Sequence, residues 1–328
     1  ALGSHYYLEA RAKSRKMENP FSSSNPCNAF KCAGSTALLL FSIVMIMATI
    51  VDENTQLSQD VHPALAFVLI WAAVIWLSMV EGGQGALVGL PPVDKELYKS
   101  SHSITYKCTS LAHQGDNLDR YLIGRQFLVI LIVFVINLSG RPLEGATVLG
   151  LPDVIQQIFL GSGVALILMT TNIGQLACQV NVSHCMLDYI NTYFMLFTLY
   201  VALAIEASGL LHCVYVVQMF FSYVSGKPVV SNEPPRGDFQ NMFFWGRVYM
   251  SLGILTICFV VTLKALFDGQ TTMWERVPEA VSVILFFVFM SVVGMLEGMQ
   301  IAFFAITKLT KEEQAQHPVA MKTSELLF

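Results

Sequence analysis

The chain has 328 residues, of which 54% are hydrophobic and only 13% are charged, and its mean hydropathy is +0.57. Soluble domains of this length do not have such a composition, so it predicts an integral membrane protein whose surroundings are the lipid bilayer. The formal net charge is −4 at pH 7, which excludes the basic surface that a nucleic-acid partner requires.

Long apolar segments recur along the whole chain. Each is long enough to cross a bilayer as a helix, and none shows the strict alternation of a barrel strand. A helix also satisfies its own backbone hydrogen bonds in lipid. The sequence therefore predicts an all-α polytopic transmembrane helical bundle with about seven spans, near residues 34–51, 61–90, 121–139, 151–178, 193–220, 245–267 and 278–306.

Basic residues predict the orientation of the bundle, because cytoplasmic loops are enriched in Lys and Arg. The segment before the first span and the second loop are both rich in these residues, whereas the first loop has none and the third has only Arg141. We expect a cytoplasmic N-terminus. Lys227, Arg236 and Lys308 would lie outside on this topology, so the basic residues leave the last three spans less clearly oriented.

Two regions of the chain align without a gap. Residues 61–90 lie over residues 277–306 at a constant offset, which places Glu81 on Glu297 and Gln84 on Gln300. The aligned spans are five spans apart, an odd number, so the copies would have opposite orientations, as in alternating-access transporters. This predicts five regions: a cytoplasmic segment (1–33), a first five-span repeat (34–220), an inter-repeat loop (221–244), two spans of a second repeat (245–306), and a loop with the chain end (307–328).

The motif shared by both copies consists of Glu81, Gly82, Gly83 and Gln84, and of Glu297, Gly298, Met299 and Gln300. A carboxylate within a span costs about 2.5–3.5 kcal/mol on insertion scales, so its recurrence indicates a function. The glycines could open the helix and free backbone groups for a ligand, while Gln supplies both a donor and an acceptor. Alternatively, each Glu lies at the membrane interface and the glycines serve helix packing.

Other polar residues lie in or beside the spans. The Gly124-Arg125-Gln126 sequence begins the third span, where an arginine is either functional or a snorkelling anchor. Glu206 is a candidate ion-coupling residue, but its spacing from His212 would put the two on different faces of one helix. The Cys185–Asp188 segment is too sparse in ligands for zinc, which favours a structural role. The side chains expected to hydrogen-bond between helices are those of Asn137, Gln156, Asn172 and Gln175.

Three features occur together in order: Glu-Gly-x-Gln in the second and seventh predicted spans, Gly124-Arg125-Gln126 after the first copy, and Cys-Met-Leu-Asp from Cys185. In this combination the chain resembles the diatom-type silicon (silicic acid) transporters over nearly its whole length. The resemblance implies ten spans in two inverted five-span halves. It also implies transport of orthosilicic acid coupled to sodium, no cofactor other than that ion, and a location in the plasma membrane.

The resemblance also implies a substrate site. It assigns Glu81, Gly82, Gly83, Gln84, Gly124, Arg125 and Gln126 to substrate binding, together with Glu297, Gly298, Met299 and Gln300. We consider Glu81, Glu297 and Glu206 as residues that could couple the ion. At the repeat offset of 216 residues the counterpart of Gly124 would lie near position 340, beyond Phe328, so we expect about three spans of the family layout to be missing.

Two other functional classes compete with a coupled transporter. A passive channel for a small neutral polyhydroxyl solute could use the same repeat and glycines, and sodium dependence of uptake separates it from a transporter. A seven-span receptor would have an external N-terminus and no repeat. The chain contains no HExxH, GxSxG or paired-Asp motif, so we predict that it is not an enzyme.

Overall fold

The structure, a computed structural model, describes residues 26–90, 94–182, 184–226, 228–229, 231–271 and 277–306, and positions 318, 321 and 322. These residues form helices joined by short loops, with no strand among them. In chain order the helices are α1 (Pro26–Val51), α2 (Pro63–Gly89), α3 (Ser103–Ala112), α4 (Asn117–Gly140), α5 (Asp153–Gly161), α6 (Val164–Val182), α7 (Met186–Ile190), α8 (Tyr193–Ala207), α9 (Val214–Ser225), α10 (Asp238–Phe267) and α11 (Glu279–Ile306).

The helices confirm the predicted fold class. Five of them are long and apolar enough to cross a membrane, namely α1, α2, α4, α10 and α11, and α5 with α6 would make a sixth if the bent pair is one span. The seven predicted spans differ from this result at one place. The segment 193–220, expected as one helix, is divided into α8 and α9, which have 15 and 12 residues and are separated by turns.

Local sequence explains where the helices begin and bend. Pro63 occupies the first turn of α2, where its missing N–H is no loss, and the His62 ring accepts a hydrogen bond from the Ala64 N–H at 3.2 Å. Between α5 and α6 the chain turns by 52° at Gly163, whose φ of 75° is left-handed. Two segments are π-helical, at Gln157–Gly161 in α5 and Thr170–Leu176 in α6.

The described residues up to Ile205 form one compact unit. Its larger core lies between α1, α2, α4 and α6 and is made of aliphatic side chains and methionines such as Met45, Ile70, Leu77, Ile132 and Met169. A second cluster joins the C-terminal end of α2 to α3, α4, α7 and α8, and includes Leu87, Cys108, Tyr121, Ile190 and Met195. The two clusters fix α2 along its whole length.

The described residues from Glu206 onwards form the second unit. Its helices α10 and α11 meet at an edge-to-face contact between Phe259 and Phe287, with ring centroids 5.9 Å apart. The Ser251 hydroxyl donates to the Leu210 carbonyl at 2.5 Å and accepts from the Cys213 N–H at 3.1 Å. These bonds attach the turns before α9 to α10. The unit boundary differs from the predicted repeat boundary at 220, and the predicted loop 221–244 begins within α9 and ends within α10.

Candidate functional site

A buried ion pair joins the first two motifs. The Arg125 Nη2 donates to Glu81 Oε2 at 2.7 Å, and the two side chains are only 2% and 6% exposed. The Nη1 of the same guanidinium donates to Gln126 Oε1 at 3.0 Å. Arg125 is therefore no snorkelling anchor, because its charge lies inside the unit and is neutralised there by a carboxylate from another helix.

The glycines of the first motif serve close packing. Helix α2 continues without interruption through Gly82 and Gly83, so these glycines do not open the helix in this structure and, as in the packing alternative, they allow close helix approach. A methyl group on Gly82 would collide with the Tyr189 ring, and one on Gly83 would lie 2.6 Å from the Met195 sulfur. With no side chains at these two positions, α7 and α8 can approach the motif directly.

Gly124 allows another close approach, between α4 and α8. A methyl group there would overlap the backbone carbonyl of Ala202, and a backbone atom cannot rotate away as a side chain can. The absence of a side chain at Gly124 therefore brings the two helices together one residue before Arg125. This contact helps to keep the guanidinium turned towards α2.

Gln179, on α6, is a second partner of the carboxylate. Its Nε2 donates to Glu81 Oε2 at 3.1 Å, so one oxygen accepts hydrogen bonds from both Arg125 and Gln179. Sequence reasoning missed Gln179 because it lies outside every motif and close to the end of a predicted span. The π-helical segment Thr170–Leu176 precedes it, and π-helical turns are frequent at functional sites.

Three buried polar atoms around the ion pair have no hydrogen-bond partner among the described residues. They are Gln84 Oε1, the Tyr121 hydroxyl oxygen and Arg125 Nε. Gln84 lies one turn beyond Glu81 on α2, and Tyr121 lies one turn before Arg125 on α4. The set comprises one acceptor, one hydroxyl and one N–H donor, which is the complement of a solute that bears hydroxyl groups.

Two short helices, α3 and α7, pack together beside the first motif. The Tyr189 hydroxyl on α7 donates to the Ser78 carbonyl of α2 at 2.7 Å. Asn191 Oδ1 accepts from the N–H groups of Ile104 and Thr105, which begin α3. Burial raises the pKa of the Tyr189 phenol well above its usual range, and it raises the pKa of the Cys108 thiol to about 11.

The Cys185–Asp188 segment leads into α7 of this helix pair. The Asp188 carboxylate lies 3.0 Å from His102 Nε2, and the Thr105 hydroxyl donates to the Leu187 carbonyl at 2.7 Å. Within the described ranges no group of three or more His, Cys, Asp or Glu side chains could hold a metal ion. These contacts agree with a structural role, because they join α7 to α3.

In the second unit a different carboxylate is buried. Glu206 Oε1 accepts from the Tyr215 hydroxyl at 2.9 Å and lies 3.8 Å from His212 Nε2. The expectation that Glu206 and His212 lie on different faces was wrong, because it assumed one continuous helix. The chain instead turns after Ala207, where Arg247 Nη1 donates to the Ala207 carbonyl at 3.1 Å, and it returns His212 to the carboxylate.

The second motif lies on α11 in the second unit. Glu297 and Gln300 are half-buried there, and Gly298 has open space around it. Met299 is 41% exposed. In the part of the chain that the structure describes, no ion pair reaches Glu297. The structure thus brings the first motif together with Gly124-Arg125-Gln126, whereas the second motif has no such partner among the described residues of its unit.

The four amides expected to bond between helices behave differently. Asn137 and Asn172 donate to carbonyls four residues earlier in their own helices, at 3.0 and 2.8 Å. Gln156 bonds to Val148 and Leu151 in the loop just before its own helix. For these three the prediction is wrong, because a local carbonyl lies within reach of each short side chain. Gln175 is half-buried, and among the described residues its amide makes no hydrogen bond to another helix.

Comparison with known proteins gives one result. A family model described as a silicon transporter matches residues 23–328. No curated protein matches the chain, and no solved structure does. The matched region includes both Glu-Gly-x-Gln motifs, the Gly124-Arg125-Gln126 sequence and every helix assigned above. The chain therefore belongs to the silicon transporter family.

Proposed function

We propose that the protein is a sodium-coupled secondary transporter of orthosilicic acid that works by alternating access, with the Glu-Gly-x-Gln and Gly-Arg-Gln motifs forming the substrate site. The observation that carries this proposal is the buried ion pair of Glu81 and Arg125, beside which Gln84 Oε1 remains without a partner. The first Glu-Gly-x-Gln copy and the Gly124-Arg125-Gln126 sequence thus contribute to one polar cluster, beside two cores of hydrophobic side chains.

The charge of this cluster suits a neutral solute. Orthosilicic acid is uncharged at neutral pH and presents only hydroxyl groups, so it needs donors and acceptors rather than a net charge. Arg125 is already neutralised by Glu81, which leaves it unsuited to clamp an anion. An amide such as that of Gln84 can both donate to and accept from hydroxyl groups.

The Glu81–Arg125 ion pair also affects which carboxylate can bind the coupling ion. Sodium prefers carboxylate and carbonyl oxygens, and a carboxylate that already holds a guanidinium is a poor ligand for a second cation. Glu206 bonds to a neutral phenol and lies 3.8 Å from the His212 imidazole rather than against a guanidinium, and Glu297 has no ion pair among the described residues. We therefore favour Glu206 and Glu297 over Glu81 as sodium ligands.

The test is uptake of orthosilicic acid by the full-length protein in proteoliposomes. An inward sodium gradient should drive accumulation above equilibrium, and replacing sodium by potassium should abolish that accumulation. Glu206→Gln should raise the sodium concentration needed for half-maximal uptake. Uptake that only equilibrates the solute and ignores sodium would instead establish a passive channel, the second candidate function.

Substitutions in the motifs test the site itself. Gln84→Ala and Gln300→Ala should each abolish uptake while the protein still inserts into the membrane. Gln218→Ala is the matched control, because Gln218 is exposed on α9 and belongs to no motif. Unchanged uptake in both motif variants would overturn the site assignment.

A further inference from the structure

We infer that Tyr121, which lies outside both motifs, is a substrate-binding residue whose hydroxyl contacts the transported solute. The inference rests on the proposed function, because it adds a group to the site proposed there. It begins from burial. Tyr121 is fully buried, and its hydroxyl has no hydrogen-bond partner among the described residues.

An unpartnered hydroxyl inside a protein is unfavourable. The group has lost its hydrogen bonds to water and has gained none in exchange. A phenylalanine would fill the same space without this cost, so packing alone does not explain a tyrosine at this position. Tyrosines at membrane interfaces commonly face the headgroups, but this one is enclosed by protein.

The position of the hydroxyl supplies the second step. A methyl group built on Gly83 would lie 3.3 Å from the Tyr121 oxygen, so the hydroxyl lies over this glycine of the first motif. Tyr121 also lies four residues before Arg125 on the same face of α4. The hydroxyl is therefore next to both motifs, although it belongs to neither.

The chemistry of the neighbouring atoms supplies the third step. Gln84 Oε1 and Arg125 Nε are buried and unpartnered as well. An anion would leave the Gln84 oxygen without a donor, and a metal ion would leave the Arg125 N–H without an acceptor. A small neutral molecule with several hydroxyl groups, each both donor and acceptor, carries the complementary group for every one of the three atoms.

The experiment compares Tyr121→Phe with Tyr200→Phe in the full-length protein. Tyr200 is 57% exposed on α8 and is the control for loss of a phenol hydroxyl. Loss of one hydrogen bond to the solute should raise the KM for orthosilicic acid uptake about five- to tenfold in Tyr121→Phe. The KM of Tyr200→Phe should stay within about twofold of wild type.

Thermal unfolding distinguishes binding from a structural role. Without solute, Tyr121→Phe should melt at or above the wild-type temperature, because an unpartnered hydroxyl is removed. With orthosilicic acid, the stabilisation seen in wild type should be reduced. A lower melting temperature without solute, or a KM equal to that of the control, overturns the inference. Failure of the wild type to take up the solute overturns the proposed function instead.

Discussion

The two Glu-Gly-x-Gln motifs have nearly the same sequence but different surroundings. Around the first, Glu81 is paired with Arg125 and Gly82 is covered by Tyr189. Around the second, Glu297 has no ion pair among the described residues, and Gly298 has open space. The same four-residue pattern therefore describes one packed site and one sparsely surrounded helix face.

The difference teaches that the motif is only half of a site. The first copy is completed by three elements from elsewhere in the chain: the guanidinium on α4, the amide of Gln179 on α6, and the pair of short helices α3 and α7. Each depends on close helix approach, which the glycines permit. If these partners, rather than the motif itself, determine the stability of the site, the same change at matching positions of the two copies should have different effects.

The largest effect is expected from the carboxylates. Glu81→Gln leaves the Arg125 charge buried without its partner and should lower the free energy of unfolding by about 3–5 kcal/mol. Glu297→Gln, the same change at the matching position, should alter it by no more than about 0.5 kcal/mol. Thermal unfolding of the purified protein in detergent measures both.

A double variant provides the control for this prediction. Glu81→Gln combined with Arg125→Gln removes both charges and should recover part of the loss, because no uncompensated charge remains. Equal destabilisation by Glu81→Gln and Glu297→Gln would show that the ion pair does not distinguish the two motifs.

A smaller effect is expected from the glycines. Gly82→Ala forces a methyl group into the Tyr189 ring and should destabilise the protein by about 1–3 kcal/mol. Gly298→Ala places the methyl group in open space and should stabilise α11 by about 0.5–1 kcal/mol, because alanine restricts the unfolded chain. The melting temperatures should therefore move in opposite directions, and a shift of the same sign in both variants would contradict the packing difference.

The smallest effect concerns the reactivity of two cysteines, one in α3 and one just before α7. With a pKa of about 11, the Cys108 thiol is ionised in only about one molecule in ten thousand at pH 7, so maleimide labelling should be slow and should rise with pH up to about 11. Cys185 is half-buried in the loop before α7 and is the comparison. Mass spectrometry after timed labelling measures both, and equally fast labelling at pH 7 would show that the packing of α3 against α7 does not shield Cys108.

Much of the fold could be predicted from apolar length alone. Helices α2 and α11 closely match their predicted apolar segments, 61–90 and 278–306. This agreement is expected because a backbone in lipid must satisfy its hydrogen bonds within its own helix. The division between α8 and α9 could not be predicted in this way. The residues from Ala204 to Val214 are apolar enough to continue one helix, and the turn is held by contacts from Ser251 and Arg247, far along the chain.

The candidate site was predicted in part. Recurrence of the motif identified Glu81, and the resemblance to silicon transporters identified Arg125, but neither indicated that the two side chains touch. Gln179 and Tyr121 carried no signal, because an amide near the end of a span and a tyrosine at the start of one are both common. Their roles depend on tertiary contacts that no local pattern encodes.

The π-helical segment Thr170–Leu176 sets the rotational phase of everything that follows it in α6. A π-helical turn contains one more residue than an α-helical turn at the same point. If the same residues wound as regular α-helix, the residues that follow the segment would be rotated by about 100°. Gln179 would then face away from Glu81, although no residue in contact with the carboxylate had been changed.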